Sequence, residues 1–527
     1  MTDSQAEIVA FLSTPEAYGP AKGPVERHAT HGSQVFLAGE RAYKLKRAVK
    51  LAYLDYSTRA RRKAMCEREL AVNQRLAPEL YVDVVPVIRR ENGAFALGKG
   101  KDDARAVDWL IVMRRFGQET LFRAMAERGA LDRELMRGLA ERLAQFHGDA
   151  ERQSTHGGAG GIEAVIDENS AHLAQEDIFA RDKIEKLDTQ GREALAALRT
   201  FLDDRRTKGF VRRVHGDLHL NNICLFDGKP VPFDAIEFED DFACIDVLFD
   251  LALLVMDLDR RGLRAEANAL VNRYLECTGD YEGLKALPLF LSCRAAMRAH
   301  VTVAMAKSGK GEVSEKKADE ARHLLDCALA YLEPTPARAV AVGGVSGTGK
   351  STVAAAVAPH LGRAPGAIVI RSDVVRKTLW GVDALTRLPK VAYDKSYSER
   401  VYRALGERAN LVLASGHAVI ADAVFGRAHE REAIARLART HGAAFHGLWL
   451  DAPTGILEGR LDSRRNDASD ATAAVLHAQL DRTESPDDWH RVDAGGTAAQ
   501  AIEEALKVLA QEPGGVRLKP KGNRKRR

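Results

Sequence analysis

Two short stretches of this chain carry the residue types and spacings that phosphate chemistry requires. Gly344-Val-Ser-Gly347-Thr348-Gly349-Lys350-Ser351 matches G-x-x-x-x-G-K-[ST] in full. Its glycines let successive backbone N–H groups, that of Thr348 included, wrap phosphate oxygens, and a helix starting at the loop's end adds favourable partial charge. In this pattern Lys350 reaches the β- and γ-phosphates of a nucleoside triphosphate, ATP or GTP. Ser351 ligates Mg²⁺, and Thr352 completes the nucleotide-binding set. The second stretch, His215-Gly-Asp217-Leu-His219-Leu-Asn-Asn222, has the spacing H-x-D-x-x-x-x-N. A carboxylate at 217 meets an acceptor hydroxyl, and an amide five residues on turns back to Mg²⁺ on the nucleotide. Asp234, twelve residues beyond Asn222, stands where a carboxylate bridges Mg²⁺ and phosphates.

Two more carboxylates close strand-like runs, where open α/β sheets gather their chemistry. Asp422 ends Ala418-Val-Ile-Ala421 and is the natural second Mg²⁺ partner beside Ser351. Asp373 follows Ile368-Val-Ile-Arg-Ser372, with Arg376 three residues on. It is expected near the acceptor, although an aspartate there can also cap a helix.

The elements that must position these residues follow from periodicity. Beyond residue 335 strand and helix patterns alternate: strand 339–342, helix 350–361, strand 367–371, helices 373–380 and 395–414, strand 418–422, helix 427–440 and strand 445–450. Such alternation predicts a parallel sheet covered by helices. Prolines 334 and 336, in Glu333-Pro-Thr-Pro-Ala-Arg338, cannot continue the preceding helical pattern and mark a connector. Before it, short apolar runs at 35–37, 42–45, 81–88 and 109–113 read as strands, interrupted by one helical segment from Arg59 to Leu76. Beyond Leu121 the pattern is largely helical, broken near Val214–Phe238. The expected fold class is therefore α+β and α/β multidomain: a bilobal unit over 1–335 (small lobe 25–113, helical lobe 114–332), a parallel α/β unit over 336–511, and a tail over 512–527.

Composition limits the alternatives. With 45% apolar and 29% charged residues the chain reads as globular, and 527 residues exceed one hydrophobic core. No apolar run suits a membrane span, and the amino-terminal residues lack the pattern of a signal peptide. Six scattered cysteines fit reduced thiols in the cytoplasm. Seven Lys or Arg fall in the segment from Val516 to Arg527; subtracting seven from the net +4 leaves −3 for the rest. The folded body is thus not basic, and no nucleic-acid partner is expected apart from contacts of that tail, which otherwise reads as a solvated, disordered end.

The segment 339–510, with its phosphate loop and its Ser372-Asp373-x-x-Arg376, resembles P-loop kinases of small molecules, including gluconate kinase, chloramphenicol phosphotransferase and zeta toxins. The resemblance implies that Ser372, Asp373 and Arg376 contact the acceptor. It also implies that Arg460, Arg464 and Arg465 belong to a lid closing over the transferred phosphate. The H-G-D-x-H-x-x-N form resembles the aminoglycoside and choline phosphotransferase superfamily, which has a protein-kinase-like fold. By position, Asp217 would be catalytic, Asn222 and Asp234 would hold Mg²⁺, Asp246 and Asp250 would brace the lobe, and His219 would orient the loop. Ala42-Tyr-Lys44 resembles the V-A-x-K strand, which implies that Lys44 clamps ATP and pairs with Glu69; Lys46, with the same facing, and Glu67 are the alternatives. The phosphate-covering loop departs from G-x-G-x-x-G, with only Gly32 and Gly39 flanking the first strand pair. The acidic run Glu237–Asp241 fits either a cationic acceptor or a solvated turn. The whole chain is similar to bacterial proteins that fuse these two domains. The implied activity is bifunctional ATP-dependent phosphate transfer to small-molecule hydroxyls, with ATP hydrolysis a further possibility. The alternative is a regulator whose P-loop half switches a catalytically weak kinase-like half.

Overall fold

The computed structural model describes residues 5–510 except 20–22, 31, 52–53, 101, 311–312 and 464–467. Arg464, Arg465 and the basic tail lie outside the described residues. By packing, the chain divides into two compact units, Met1–His172 with Arg192–Asp257, and Leu173–Gly191 with Leu258–Arg527.

The first unit begins with six antiparallel strands: β1 (Glu26–Ala29), β2 (Ser33–Ala38), β3 (Arg41–Lys46), β4 (Tyr81–Arg89), β5 (Phe95–Leu97) and β6 (Ala106–Arg114). Their order is β1-β2-β3-β6-β4-β5. Period-two alternation sorts their side chains. Phe36, Leu45, Val87 and Leu110 pack on one face with Ile8 and Leu12. Leu37, Ala42, Val84, Trp109, Ile111 and Met113 line the other, against Cys66 of helix α1 (Arg59–Gln74). Lys44 and Lys46 share the facing of Ala42 and so project toward α1. The Thr58 hydroxyl caps α1 by accepting the Arg61 N–H at 3.3 Å.

Below the sheet, helix α2 (Arg133–Asp149) and two small antiparallel pairs frame the H-x-D loop: β7 (Val211–Arg213) with β10 (Cys244–Asp246), and β8 (Ile223–Phe226) with β9 (Lys229–Pro232). Helix α3 (Val247–Asp259) follows β10 directly.

The second unit is built on five parallel strands: β11 (Arg338–Gly343), β12 (Ile368–Arg371), β13 (Val419–Asp422), β14 (Ala444–Asp451) and β15 (His490–Asp493), in the order β12-β13-β11-β14-β15. β11 and β13 are buried along their whole length, as a sheet covered on both faces requires. Helix α4 (Arg264–Thr278) covers the free edge of β12. Asn268 Nδ2 donates to the Ala367 carbonyl at 3.0 Å, and Asn272 Oδ1 accepts the Val369 N–H at 2.7 Å. Two buried side-chain amides thus take the place of a neighbouring strand.

The alternation read from the sequence matches these elements within one or two residues for most strands and for the helices Ser372–Trp380, Lys395–Ala414 and Ala428–Thr440. Helix α5 (Lys350–Val357) is shorter than expected, because Ala358–Pro359–His360 tightens into a 3₁₀ turn. Two edge strands, β1 and β15, carry no apolar run, and all four residues of β1 are exposed; a third, β5, is apolar but only three residues long. Backbone pairing places β1, whereas β5 and β15 also seat Phe95, Leu97 and Val492 against the core.

Candidate active sites

In the first unit the H-x-D loop is held from below by backbone-to-carboxylate bonds. Asp250, fully buried on α3, accepts the Gly216 N–H at 2.8 Å and the His215 N–H at 3.3 Å, and contacts His147 Nε2 at 3.1 Å. Asp257 accepts the Leu220 N–H at 3.2 Å. Arg205 grips Asp246 through two bonds of 2.7 and 2.9 Å. Gly216 has φ +82, and a Cβ there would lie 2.8 Å from the Phe242 carbonyl, so the turn requires glycine. His215 accepts the Asp217 N–H on Nδ1 at 3.3 Å and therefore donates from Nε2 to the Phe233 carbonyl at 3.0 Å. Burial lowers its pKa, which keeps this buried ring neutral.

On this scaffold Asp217, Asn222 and His219 converge. Asn222 Nδ2 donates to the Asp217 carbonyl and carboxylate at 3.0 and 3.1 Å, which leaves its amide oxygen for a cation. His219 accepts the Asn221 N–H on Nδ1, so its Nε2–H faces Asp217 at 3.2 Å. Asp234 sits at φ +65, an uncommon conformation for a non-glycine residue of the kind that functional sites retain. Lys44 Nζ reaches Asp234 at 2.5 Å and Glu69 at 2.8 Å, joining β3, α1 and the segment after β9. Lys46 binds the other Glu69 oxygen at 2.6 Å but is sealed at 1% exposure. Lys44 therefore faces the open side of the site. Glu67 lies on the exterior of α1, 3.9 Å from Lys63.

The acidic run 237–241 is largely spent within the fold. Glu237 is buried against Lys46, and Asp240 pairs with Arg68 and Arg213.

In the second unit the phosphate loop joins β11 to α5. Gly344 (φ +132) passes so close to the Leu450 carbonyl that a Cβ would lie 2.5 Å from it, and Gly349 (φ +84) precedes the first helical residue. The glycines at 344 and 347 are thus needed for close approach, as Gly347 abuts the backbone of Leu457. Lys350 Nζ donates to the Val345 carbonyl at 2.9 Å, curling over the loop. Thr348 bonds the same carbonyl, while Thr352 lies exposed on the first turn. Ser351 Oγ donates to Asp422 at 2.5 Å, so the hydroxyl and the carboxylate meet. Asp373, at the start of helix α6 (Ser372–Trp380), faces Arg371, Asp422, Lys350 and Ser469; burial chiefly, and the charge of Asp422, push its pKa up.

Arg376 donates to the Ala392 carbonyl at 2.6 Å and stacks on Tyr393. Arg460, on the helix Thr454–Ser463, donates to the Gly496 carbonyl at 2.8 Å. Sequence reasoning missed Arg371, 3.6 Å from Asp422, and Lys377, buried and bonded to Asp470 at 2.6 Å with Tyr393 on the same carboxylate at 2.5 Å. Asp470 and Lys377 are 93 residues apart, and no spacing joins them.

Among the described residues no group of three or more His, Cys, Asp or Glu forms a metal cage. Each site instead offers two oxygen-bearing side chains, Asn222 with Asp234 and Ser351 with Asp422. That donor set fits Mg²⁺ shared with nucleotide phosphates.

Residues 32–287 match the model of the phosphotransferase enzyme family, and residues 340–486 match an AAA domain. An uncharacterised protein of Mycobacterium tuberculosis is 30% identical over 493 residues, covering 92% of this chain and 95% of that protein. An adenylyl-sulfate kinase of Myxococcus xanthus is 32% identical over 117 residues, 22% of this chain and 59% of that enzyme. Among solved structures, a choline/ethanolamine kinase family protein of Mesorhizobium loti covers 63% of this chain and 99% of its own (16% identity, TM-score 0.37). The APS kinase of Mycobacterium tuberculosis covers 33% and 99% (21% identity, TM-score 0.27). The chain belongs to the bacterial family that joins a kinase-like phosphotransferase domain to an AAA-type P-loop kinase-like domain, and it is a phosphotransferase of the kinase type.

Proposed function

We propose that the chain is a bifunctional ATP-dependent phosphotransferase, with one site in each half on either side of the connector at 335, acting on hydroxyls of small molecules in the cytoplasm. The observation that carries this reading is the separate assembly of two sets of groups. Asp217, Asn222, Asp234, Lys44 and Glu69 converge in one unit, and Lys350, Ser351, Asp422 and Asp373 in the other. In the first site Lys44 holds the α- and β-phosphates, and Asn222 and Asp234 hold Mg²⁺. Asp217 orients the acceptor hydroxyl and takes its proton as the oxygen attacks the γ-phosphorus and the bond to the β-phosphate oxygen breaks, releasing ADP. His219 Nε2–H keeps the Asp217 carboxylate oriented. In the second site Lys350 carries the β- and γ-phosphates, Ser351 and Asp422 hold Mg²⁺, and Asp373, whose raised pKa suits proton acceptance, faces the acceptor. Mg²⁺, when bound, neutralises phosphate charge as it develops on the leaving group.

The test uses the full chain and a screen of small alcohols, amino sugars and nucleosides with labelled ATP. Asp217→Asn and Lys350→Ala should abolish different transfer reactions, each leaving the other largely intact. Removing the Asp217 carboxylate should lower turnover by orders of magnitude while nucleotide still binds. Transfer that survives Asp217→Asn but vanishes with Lys350→Ala would refute the bifunctional reading and favour the regulator.

A further inference from the structure

Lys46 is a buried charged side chain that the proposed chemistry does not use. Its ammonium has three donors, and the fold supplies three acceptors: Glu69 Oε2 at 2.6 Å, Glu237 Oε1 at 2.5 Å and the Tyr56 hydroxyl oxygen at 3.2 Å. Tyr56 in turn donates its O–H to the same Glu237 oxygen at 2.5 Å. All of these groups are nearly sealed, with side-chain exposures of 1% for Lys46, 0% for Glu69 and 5% for Glu237. A saturated, sealed ammonium has no donor left for a phosphate.

Its neighbour two residues earlier is different. Lys44 takes the other oxygen of Glu69 and the half-exposed Asp234. To bind nucleotide, Lys44 must exchange Asp234 for phosphate oxygens. During that exchange a single lysine–glutamate pair would leave Glu69 with one mobile partner in a buried place, where an unpaired carboxylate is costly. Here Lys46 retains Glu69 by its second oxygen. Through Glu237 it also ties α1 and β3 to the segment that carries Asp234. One turn along α1, Asn73 reinforces that tie by bonding both backbone groups of Ala235, at 2.9 and 3.4 Å.

We propose that Lys46 is a positioning residue for the first nucleotide site: it fixes Glu69 and the 234–237 segment so that Lys44 can move from Asp234 to the phosphates. This rests on the reading of that site as a nucleotide site. Glu69 is then held in its paired position whether or not nucleotide is bound.

The experiment uses the full chain carrying Lys350→Ala to silence the second site, titrated calorimetrically with the Mg²⁺ complex of a non-hydrolysable ATP analogue. Glu237→Gln, which leaves Lys46 on Glu69, is the reference. Lys46→Met with Glu237→Gln removes both charges of the pair together, so that no carboxylate is stranded at 237. We expect this double variant to melt within a few degrees of the reference but to bind the nucleotide at least tenfold more weakly. Equal affinity in the two would overturn the positioning role, since neutralising Glu237 would then be all that Lys46 does. Absence of binding in the Lys350→Ala protein itself would overturn both the first-site reading and this inference. A measurement without changes at 46 guards against misfolding of the double variant. Acylation of lysines, read by mass spectrometry with and without the analogue, should label Lys44 only in its absence and leave Lys46 unlabelled throughout. Nucleotide-dependent labelling of Lys46 in place of Lys44 would reverse the assignment of the two lysines.

Discussion

Replacing Asn272 by leucine should loosen the strand that leads into the second site. Asn272 is 6% exposed on α4, and its Oδ1 accepts the Val369 N–H at 2.7 Å. Its Nδ2 donates to Asn268 and, at 3.3 Å, to the Ala367 carbonyl. Leucine keeps the branched outline and heavy-atom count of the side chain, with bulkier methyl ends, but leaves the Val369 amide, on a residue only 7% exposed, without a partner. The Ala367 carbonyl still has Asn268 Nδ2 at 3.0 Å, so one orphaned N–H is the main cost. A buried donor left unsatisfied costs about 1–3 kcal/mol. At about 2 kcal/mol, local opening becomes roughly 30-fold more frequent. Hydrogen exchange of the full chain, resolved to the 366–371 segment, should show that acceleration, whereas β13 and β11 in the sheet interior change much less. Asn268→Leu should have the smaller effect, because Asn272 still serves both groups. The loosened strand ends at Arg371 and leads to Asp373, so transfer at the second site should fall with it. Exchange in this segment within threefold of wild type would refute the argument that α4 supplies the missing edge of the sheet.

Acid sensitivity of the second unit should trace in part to His417. This ring is fully buried, and burial first, then the charge of Arg363, lowers its pKa to about 3 from 6.5. The unfolded chain therefore binds the proton at 6.5 and the folded chain does not, so stability is complete above 6.5 and is lost as pH falls from there toward 3. His417→Phe, which loses the bond to the Ser415 carbonyl, should cost about 1 kcal/mol at pH 7.5. It should also flatten the decline below pH 6.5 by up to about 1.4 kcal/mol per pH unit, measured by denaturant unfolding; an unchanged slope would count against a neutral buried His417. Gly216→Ala should disturb the first site alone. A left-handed alanine costs about 1–2 kcal/mol even without the contact to Phe242, so first-site turnover should drop at least tenfold while second-site nucleotide binding holds. Retained first-site turnover would mean that the loop tolerates reshaping at this point.

The phosphate loop, the H-x-D loop and the alternation of the second half were legible because each is local. A loop that must wrap phosphates needs glycines at fixed intervals, and at 344, 347 and 349 the fold does hold positive φ. Period-two facing likewise put Lys44 and Lys46 on one face of a strand, yet it could not choose between them. That choice depends on Glu237 and Tyr56, which saturate Lys46 from 191 and 10 residues away. The acidic run after Asp234 was ambiguous for the same reason: Glu237 and Asp240 meet their cations only in the fold. The edge of the parallel sheet was the least legible feature. Asn268 and Asn272 are two polar residues among several on this helix, in a segment matched by the phosphotransferase family, and no pattern in it points 97 residues forward to Val369. A sheet edge needs only a donor and an acceptor at the right spacing, and a helix can present both from consecutive turns. A protein cut at Pro334 would therefore strand the Val369 amide and the Ala367 carbonyl at the margin of the second site. The phosphotransferase match ends at residue 287 and the P-loop match begins at 340, yet the hydrogen bonds that complete the P-loop sheet start before either boundary, at Asn268 and Asn272 on α4.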